Sequence, residues 1–169
     1  MTRDAGELIA LATELLRTNP YGFLVTDGTG GPHARLVQHL AVEDDLTIWV
    51  GTSPRSRKAQ EIGSGGRAAF AVEDRSAFAY VSLTGPARVV ADEDERAARW
   101  VAGLETFFPE GPQGDDFVLI ALRPERVELM DFAAGVHPDP YGLVPAVLVR
   151  DGTGWRSAAA ERDEPGSPS

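Results

Sequence analysis

The stretch Leu46–Ile62, LTIWVGTSPRSRKAQEI, decides the fold and contains the strongest candidate for a ligand site. Its first part, LTIWVGT, is rich in β-branched and aromatic residues and predicts a strand. Pro54 is typical of a helix start, and either Ser53 or Ser56 could cap the helix. Because GSGG follows, we predict a short helix over about 55–62. A strand therefore leads directly into a helix through a basic turn.

The charge of this turn sets it apart from the rest of the chain. Arg55, Arg57 and Lys58 lie within four residues, whereas the whole chain of 169 residues has 16 Lys and Arg against 26 Asp and Glu. Guanidinium groups, hydroxyls and the free N–H groups of a helix start all suit phosphate. A solvated turn that pairs with neighbouring acids such as Glu61 is the open alternative. The Gly-x4-Gly-Lys order of a nucleotide-binding P-loop is absent.

The composition limits the class of protein. With 43% hydrophobic residues, the chain can bury the core of about one domain. It has no Cys, which excludes disulfides, Cys-ligated metals and thiol nucleophiles. A net charge of -10 disfavours nucleic acid and anionic membranes as partners. No apolar run approaches the ~18 residues of a membrane span, and acids interrupt the N-terminal apolar stretch, so we expect a cytoplasmic protein.

The pattern on either side of the basic turn predicts a mostly β protein, an antiparallel barrel with helical excursions. Helices are predicted over about 4–18 and 92–107, in addition to 55–62. The other predicted strands are 21–26, 33–42, 68–72, 77–90 with a bulge or bend at Gly85-Pro86, 115–122, 126–132, 146–150 and 154–157. A doubly wound parallel sheet would instead alternate strands and helices throughout. The polar, acidic stretch 158–169 predicts a disordered tail.

The order of these motifs resembles a known family. GPHARLVQ, WVGTSPRSRKAQEI, YVSLTGPARVV, FFPEGP and LIALRPERVELMDF are together similar to the pyridoxamine 5'-phosphate oxidase-like FMN-binding split barrel superfamily, closest to its general stress protein branch. The similarity covers about residues 5–132. Its most diagnostic part is the T-x3-S-R-K segment combined with an upstream Arg. The resemblance implies a split β-barrel of the FMN-binding type, which we expect to occupy residues 1–157.

The resemblance also implies a binding site for FMN. The residues that it places along the flavin on the second strand are Arg35, Leu36, Val37 and Gln38, with Arg35 near the phosphate end. At the basic turn it assigns five residues to the cofactor: Gly51, Thr52, Ser56, Arg57 and Lys58. Of these, Thr52, Ser56, Arg57 and Lys58 would hold the 5'-phosphate. Tyr80 stands where the family's oxidases carry a Gln that contacts the flavin. Because the family binds FMN between two subunits, a homodimer is expected.

Two departures from the family's oxidases limit the expected reaction. Met130 stands where they carry a Trp that covers the flavin. The stretch Ala133–Pro138 contains His137 but no Arg where they grip the substrate phosphate. We therefore expect an FMN-dependent oxidoreductase of unknown substrate that is not a true pyridoxamine phosphate oxidase. An F420-dependent reductase of the same fold and a non-catalytic protein that binds flavin or haem are the alternatives.

The remaining polar residues predict neither a metal site nor a catalytic group. The three histidines, at positions 33, 39 and 137, show no metal-ligand spacing. On an unbroken second strand His33, Arg35, Val37 and His39 would share one face, either the flavin face or an exposed polar side. No nucleophile or acid–base arrangement surrounds Ser82, so the catalytic residues stay unknown.

Overall fold

The computed structural model describes residues 3–63, 65–138 and 142–158. Its helices are α1 (Ala5–Thr18), α2 (Arg57–Ile62) and α3 (Glu93–Ala98), with a 3-10 turn at Leu104–Thr106. Its strands are β1 (Tyr21–Gly28), β2 (Gly31–Val42), β3 (Ile48–Thr52), β4 (Arg67–Asp74), β5 (Ala79–Val90), β6 (Val118–Leu122), β7 (Arg126–Asp131), β8 (Ala146–Asp151) and β9 (Gly154–Ala158). Of the stretch predicted as a tail, residues 159–169 lie outside the described residues, and Ala158 ends β9.

Six strands close an antiparallel barrel in the order β4-β1-β2-β3-β6-β5, because β5 pairs with β4 as well as with β6. The strands β7, β8 and β9 extend the sheet outward from β5. The interior is filled by aliphatic side chains and Phe70, which is fully buried. The predicted fold class, a mostly β antiparallel barrel with a few helices, is confirmed.

Strand β5 changes partners at Gly85 and Pro86. Its residues 79–84 pair with β7, whereas residues 87–90 pair with β6. A Cβ atom at Gly85 would lie 2.2 Å from the backbone oxygen of Arg123, so the turn between β6 and β7 can approach only a glycine. The bulge or bend predicted here is therefore an exchange of partners within one continuous strand.

Helix α1 packs on the barrel and is tied to β2 by a histidine. It begins with a capping box, in which Asp4 and Glu7 each accept a hydrogen bond from the other's backbone N–H. At its end, Nε2 of His39 lies 2.9 Å from the carbonyl oxygen of Leu16 and 3.1 Å from that of Asn19. Because both partners only accept, this nitrogen carries the proton. His39 is thus a buried structural residue.

The helix predicted over 92–107 is wrong in length. Helix α3 ends at Ala98, and Gly103 has a φ of 100°, a left-handed conformation that a continuing helix does not allow. Between them Trp100 turns inward and places its ring edge-on against Phe117, at 5.1 Å between centroids. Packing of this aromatic pair replaces the last turns of the predicted helix. The other predicted elements differ from the observed ones only at their ends.

Candidate functional site

The residues predicted along β2 lie on two opposite faces of the strand. Arg35 and Val37 lie with His33 and His39 on the less exposed face, as the alternation along the strand predicted. Leu36 and Gln38 point the other way, out of the barrel, and are exposed. The side chain of Arg35, predicted near the phosphate end, therefore lies on the opposite face of the sheet from the side chains of Leu36 and Gln38.

At the strand-to-helix turn, the two predicted hydroxyl residues are bonded to each other. The hydroxyl of Thr52 donates to Oγ of Ser56 at 3.0 Å. The same oxygen accepts from the backbone N–H of Ala59 at 3.3 Å and so caps α2. Thr52 is buried at the end of β3, and its hydroxyl fixes the position of Ser56. The hydroxyl proton of Ser56 remains available for an acceptor outside the described residues.

Glu61 lies at the centre of a polar cluster that sequence reasoning missed. Its carboxylate accepts from the hydroxyl of Thr26, from Nδ1 of His33 at 2.7 Å and from Nη2 of Arg35 at 3.2 Å. Arg35 also donates to Oγ1 of Thr26 at 2.5 Å. These bonds, the one from Thr26 first, lower the pKa of Glu61 to about 2. Glu61 is therefore bonded to β1 and β2 and forms no ion pair with the cations of the basic turn, although Glu61 was the acid expected to pair with a solvated turn.

Two cations of the basic turn are left without a counter-charge. Neither Arg57 nor Lys58 has a hydrogen bond or an ion pair with any residue that the structure describes. Burial, and then the nearby charge of Arg35, lower the pKa of the half-buried Lys58. Arg57 is exposed and lines an open groove of about 410 Å³ together with His33 and Glu61. The charge of Arg35 thus acts on Lys58, so these two cations lie near each other.

Tyr80 lies apart from this cationic group within one chain. It is on the outer face of β5, opposite Glu73 on β4 and Met130 on β7. Three strand spacings separate β5 from β2 around the barrel, on the order of 14 Å. Burial, and then the negative charge of Glu128, raise the pKa of the Tyr80 hydroxyl. The structure does not join Tyr80 to Arg35 and Lys58 in a single site.

Large apolar side chains cover the outer face of β1 and β2. Tyr21, Phe23 and Leu36 are 58%, 53% and 61% exposed. Phe23 lies opposite Leu36 on one side and Ala71 on the other, so these residues form a continuous row across three strands. We call Tyr21, Phe23 and Leu36 the outer apolar face. Such contiguous exposed apolar surface is typical of an interaction site.

The segment after Met130 turns back on itself and meets the start of the chain. Met130 is buried, and Val136 donates to the carbonyl oxygen of Asp131 at 2.7 Å. The ring of His137 stacks on Phe132 at 4.5 Å. Arg3 donates to the carbonyl oxygen of Ala134 at 2.5 Å. A cation therefore lies beside this segment, supplied from a position 131 residues away that no local pattern could indicate.

Neither a cluster of metal-ligating side chains nor a membrane-spanning helix is found in the described ranges. Within residues 3–63, 65–138 and 142–158, no three His, Asp or Glu side chains come together as a metal would require. Over the same part of the chain, no helix is long and apolar enough to cross a membrane.

Solved structures with the same architecture define the class of protein as an antiparallel split barrel of the FMN-binding type. A pyridoxamine 5'-phosphate oxidase-related, FMN binding protein from Nostoc punctiforme superposes with a TM-score of 0.67 at 18% identity, over 96% of this chain and 100% of that chain. The general stress FMN/FAD binding protein from Xanthomonas citri gives 0.68 at 19% identity, over 82% and 99%. A haem binding protein from Mycobacterium smegmatis gives 0.58 at 24% identity, over 80% and 57%.

The sequence itself identifies the family. Residues 8–136 match the family model described as pyridoxamine 5'-phosphate oxidase like. The chain belongs to this family, and its recognition from the motifs around the basic turn is confirmed. No curated protein matches the chain in sequence.

Proposed function

We propose that this chain is a flavin-dependent oxidoreductase that binds FMN, with the 5'-phosphate at the basic turn. The observation that supports this most is the pair of uncompensated cations, Arg57 and Lys58, beside the hydroxyl of Ser56 in a strongly acidic protein. The family of the chain and the flavin-binding proteins with the same fold support the same cofactor.

The charge of the cluster fits a phosphate monoester. Arg35, Arg57 and Lys58 carry three positive charges, and the ionised Glu61 removes one. Two positive charges remain, which match a dianionic phosphate near pH 7. Lys58 is half-buried, so its charge is less screened by water than that of Arg57. Ser56 supplies a hydroxyl donor, and Thr52 orients it.

The chain's own residues bind and orient, while the bound flavin supplies the redox chemistry. Transfer of a hydride at a flavin needs no protein base. The proposed reaction is therefore compatible with a sequence in which we identified no catalytic residues. Glu61 keeps the guanidinium of Arg35 fixed below the turn, so Arg35 contributes mainly its charge. Gly51 and the backbone of Leu36, Val37 and Gln38 complete the proposed contacts.

We propose a homodimer, which the geometry of β2 supports. Leu36 and Gln38 are proposed ring contacts, but both are exposed on the outer face and are not part of a closed pocket in one chain. A second copy seated on the outer apolar face would bury Tyr21 and Phe23 and enclose a flavin beside Leu36. It would also allow Tyr80 of one subunit to approach the cofactor held by the other. We place the dimer in the cytoplasm.

We do not assign pyridoxamine phosphate oxidation to this chain. Met130 cannot cover a flavin as an indole ring would, and the segment Ala133–Pro138 has no Arg. The nearby Arg3 already donates to the carbonyl of Ala134. A phosphorylated substrate would therefore lack a dedicated cation, and we expect poor turnover of pyridoxine 5'-phosphate.

The absorption spectrum of the purified protein tests this proposal. A flavin spectrum that bleaches under anaerobic conditions with NADH or NADPH supports an FMN-dependent oxidoreductase. Bleaching with reduced F420, or bound F420 identified by mass spectrometry, supports the F420-dependent alternative instead. A haem spectrum, or flavin that none of these donors reduces, supports the non-catalytic alternative, for which the haem binding protein of the same fold is the specific precedent.

A further inference from the structure

The imidazole of His33, near the start of β2, is held by a carboxylate at one nitrogen and is open at the other. Its Nδ1 lies 2.7 Å from Oε1 of Glu61. Because the carboxylate of Glu61 is ionised and only accepts, Nδ1 carries the proton. Among the residues that the structure describes, Nε2 of His33 has no hydrogen-bond partner. The neutral ring therefore presents a lone pair at Nε2.

A close approach to β1 fixes the position of this ring. A Cβ atom at Gly28 would lie 2.4 Å from Nδ1 of His33 and 2.6 Å from Oε1 of Glu61, so a larger residue at position 28 would displace one of the two groups. Thr26, the partner of His33 across the hairpin, donates to Oε2 of the same carboxylate. The contact between His33 and Glu61 is thus held from β1 as well as from α2.

The open side of His33 belongs to the groove beside the basic turn. His33 lines this groove of about 410 Å³ together with Arg57. The side chain of His33 is 27% exposed, and Nε2 is not among the buried polar atoms that lack a partner. Because Nδ1 is occupied, Nε2 is the ring atom that can bond a ligand in the groove. An anion held there by Arg57 would lie beside the imidazole.

The chemistry of a phosphate dianion decides which form of His33 it can contact. The dianion has no proton to donate, so it repels the lone pair of a neutral Nε2. A protonated imidazole instead donates Nε2–H to a phosphate oxygen in a charge-assisted hydrogen bond. Histidine is the side chain that ordinarily changes its charge between pH 5 and pH 8. Contact with phosphate therefore requires that His33 takes up one proton from the solvent at Nε2.

The charged groups around His33 couple its protonation to the anion. Glu61 on α2 favours the imidazolium, whereas Arg57 on α2 and Arg35 on the same face of β2 oppose it. Asp27 of β1 is exposed on the opposite face of the hairpin. A bound phosphate compensates the two arginines, so the imidazolium is favoured in the complex. Protonation of His33 and binding of phosphate thus reinforce each other.

We propose that His33 is a further phosphate-binding residue at the basic turn, which binds phosphate only as the imidazolium and so makes retention of the cofactor depend on pH. The identity of the cofactor as FMN rests on the proposed function, whereas the contact between His33 and a phosphate monoester does not. Glu61 is then a positioning residue for His33, because it fixes the tautomer that leaves Nε2 open.

Titration of the purified full chain with FMN and with riboflavin tests the proposal between pH 6.5 and pH 8.5 at constant ionic strength. The affinity for FMN should fall about tenfold over this range, since uptake of one proton changes an affinity by at most tenfold per pH unit. The affinity for riboflavin, which lacks the phosphate, should stay constant. Riboflavin therefore serves as the control for every pH effect on the ring contacts.

Three variants assign the pH dependence to one side chain. His33→Gln does not titrate in this range, so its affinity for FMN should no longer fall. His137→Gln is the matched control, since His137 does not line this groove, and it should keep the fall. The pKa of Lys58 is lowered, so loss of its proton would also weaken FMN at high pH. Lys58→Arg keeps a permanent cation, and the fall should persist in it.

Calorimetry in buffers with different heats of ionisation measures the proton uptake directly. At pH 7.5, binding of FMN should take up protons in the parent and in Lys58→Arg, and none in His33→Gln. The measurements on the parent and on Lys58→Arg decide the proposal even if His33→Gln does not fold. Proton uptake is also a readout that a merely structural role of His33 would not produce.

The outcomes separate this inference from the proposed function. FMN binding without proton uptake, or a pH dependence that persists in His33→Gln or disappears in Lys58→Arg, would overturn the inference and leave the flavin function intact. A protein that binds no FMN contradicts the proposed function, and phenyl phosphate is then the probe. Proton uptake with phenyl phosphate that His33→Gln abolishes supports the inference, whereas absence of binding overturns it as well.

Discussion

The guanidinium of Arg35 and the carboxylate of Glu61 lie 3.2 Å apart, joining β2 to α2 below the basic turn. Both side chains are largely buried. Thr26 donates to the same carboxylate oxygen as Arg35, and His33 is bonded to the other oxygen. The carboxylate that might have neutralised the basic turn is thereby occupied. Arg57 and Lys58 are left to attract an anion.

The first prediction concerns these two cations. Each charge-assisted bond to a phosphate contributes roughly 1.5 to 3 kcal/mol, so Lys58→Ala and Arg57→Ala should each weaken FMN by about ten- to more than a hundredfold. The effect should be larger for Lys58, which is half-buried. Arg55→Ala is the control, since Arg55 is an exposed cation of the same turn outside the proposed contacts. Equal flavin content of the double variant and the parent after dialysis would refute the phosphate assignment.

The second prediction concerns stability against pH. The pKa of Glu61 is lowered from its ordinary value of 4.5 to about 2 in the folded protein, so its ionised form stabilises the fold above the unfolded pKa. This contribution is lost as the pH falls toward the folded pKa. Glu61→Gln should therefore lower the free energy of unfolding at neutral pH, and the difference from the parent should shrink between about pH 5 and pH 3.

Urea unfolding at several pH values measures this difference. Glu73→Gln is the matched control, because Glu73 also pairs with an arginine but is exposed. A difference between the parent and Glu61→Gln that does not change from neutral to acid pH would contradict the role given to the ionised carboxylate.

The third prediction concerns the outer apolar face. Phe23→Glu places a charge in the middle of the row formed by Leu36, Phe23 and Ala71. Light scattering should show a dimer for the parent and a monomer for the variant, and the monomer should lose flavin. Phe107→Glu alters an even more exposed Phe elsewhere and should remain dimeric. A monomeric parent that retains flavin would argue against a shared site.

The fourth prediction concerns Gly85. In Gly85→Ala, the added methyl group meets the backbone oxygen of Arg123 at 2.2 Å, and backbone atoms cannot move aside as a side chain can. We expect a loss of about 2 to 3 kcal/mol in the free energy of unfolding. Gly154→Ala is the control, since its nearest neighbour would lie at 3.8 Å. Similar melting temperatures for the two variants would contradict the close approach described here.

Much of the barrel could be predicted from local patterns. The Gly-rich turn between Thr26 and His33 indicated the first hairpin, although the strands continue to Gly28 and Gly31 and leave a tighter turn. The helix after β5 was predicted too long because its periodic pattern continues past Ala98. Trp100 packs edge-on against Phe117 instead of continuing the helix, and this tertiary contact is not contained in a local pattern.

Part of the candidate site could likewise be predicted from local sequence, and part of it depends on tertiary packing. The residues of the basic turn are neighbours in sequence, so their proximity was predictable. Glu61 was recognised as a nearby acid, but its bonds to Thr26 and Arg35 depend on how α2 packs against β1 and β2. The outer apolar face could be predicted only in part from the sequence. The register that aligns Phe23 with Leu36 is set by the hairpin turn.

The exchange of partners along β5 has a consequence for cooperativity. This strand contributes backbone hydrogen bonds to β4, β6 and β7, so neither half of the barrel can open while the other stays intact. Amide hydrogens of buried β5 residues such as Val81 and Leu83 should exchange with deuterium only through global unfolding. Amides of β9, which pairs only with β8 among the described strands, should exchange through local opening at far lower cost.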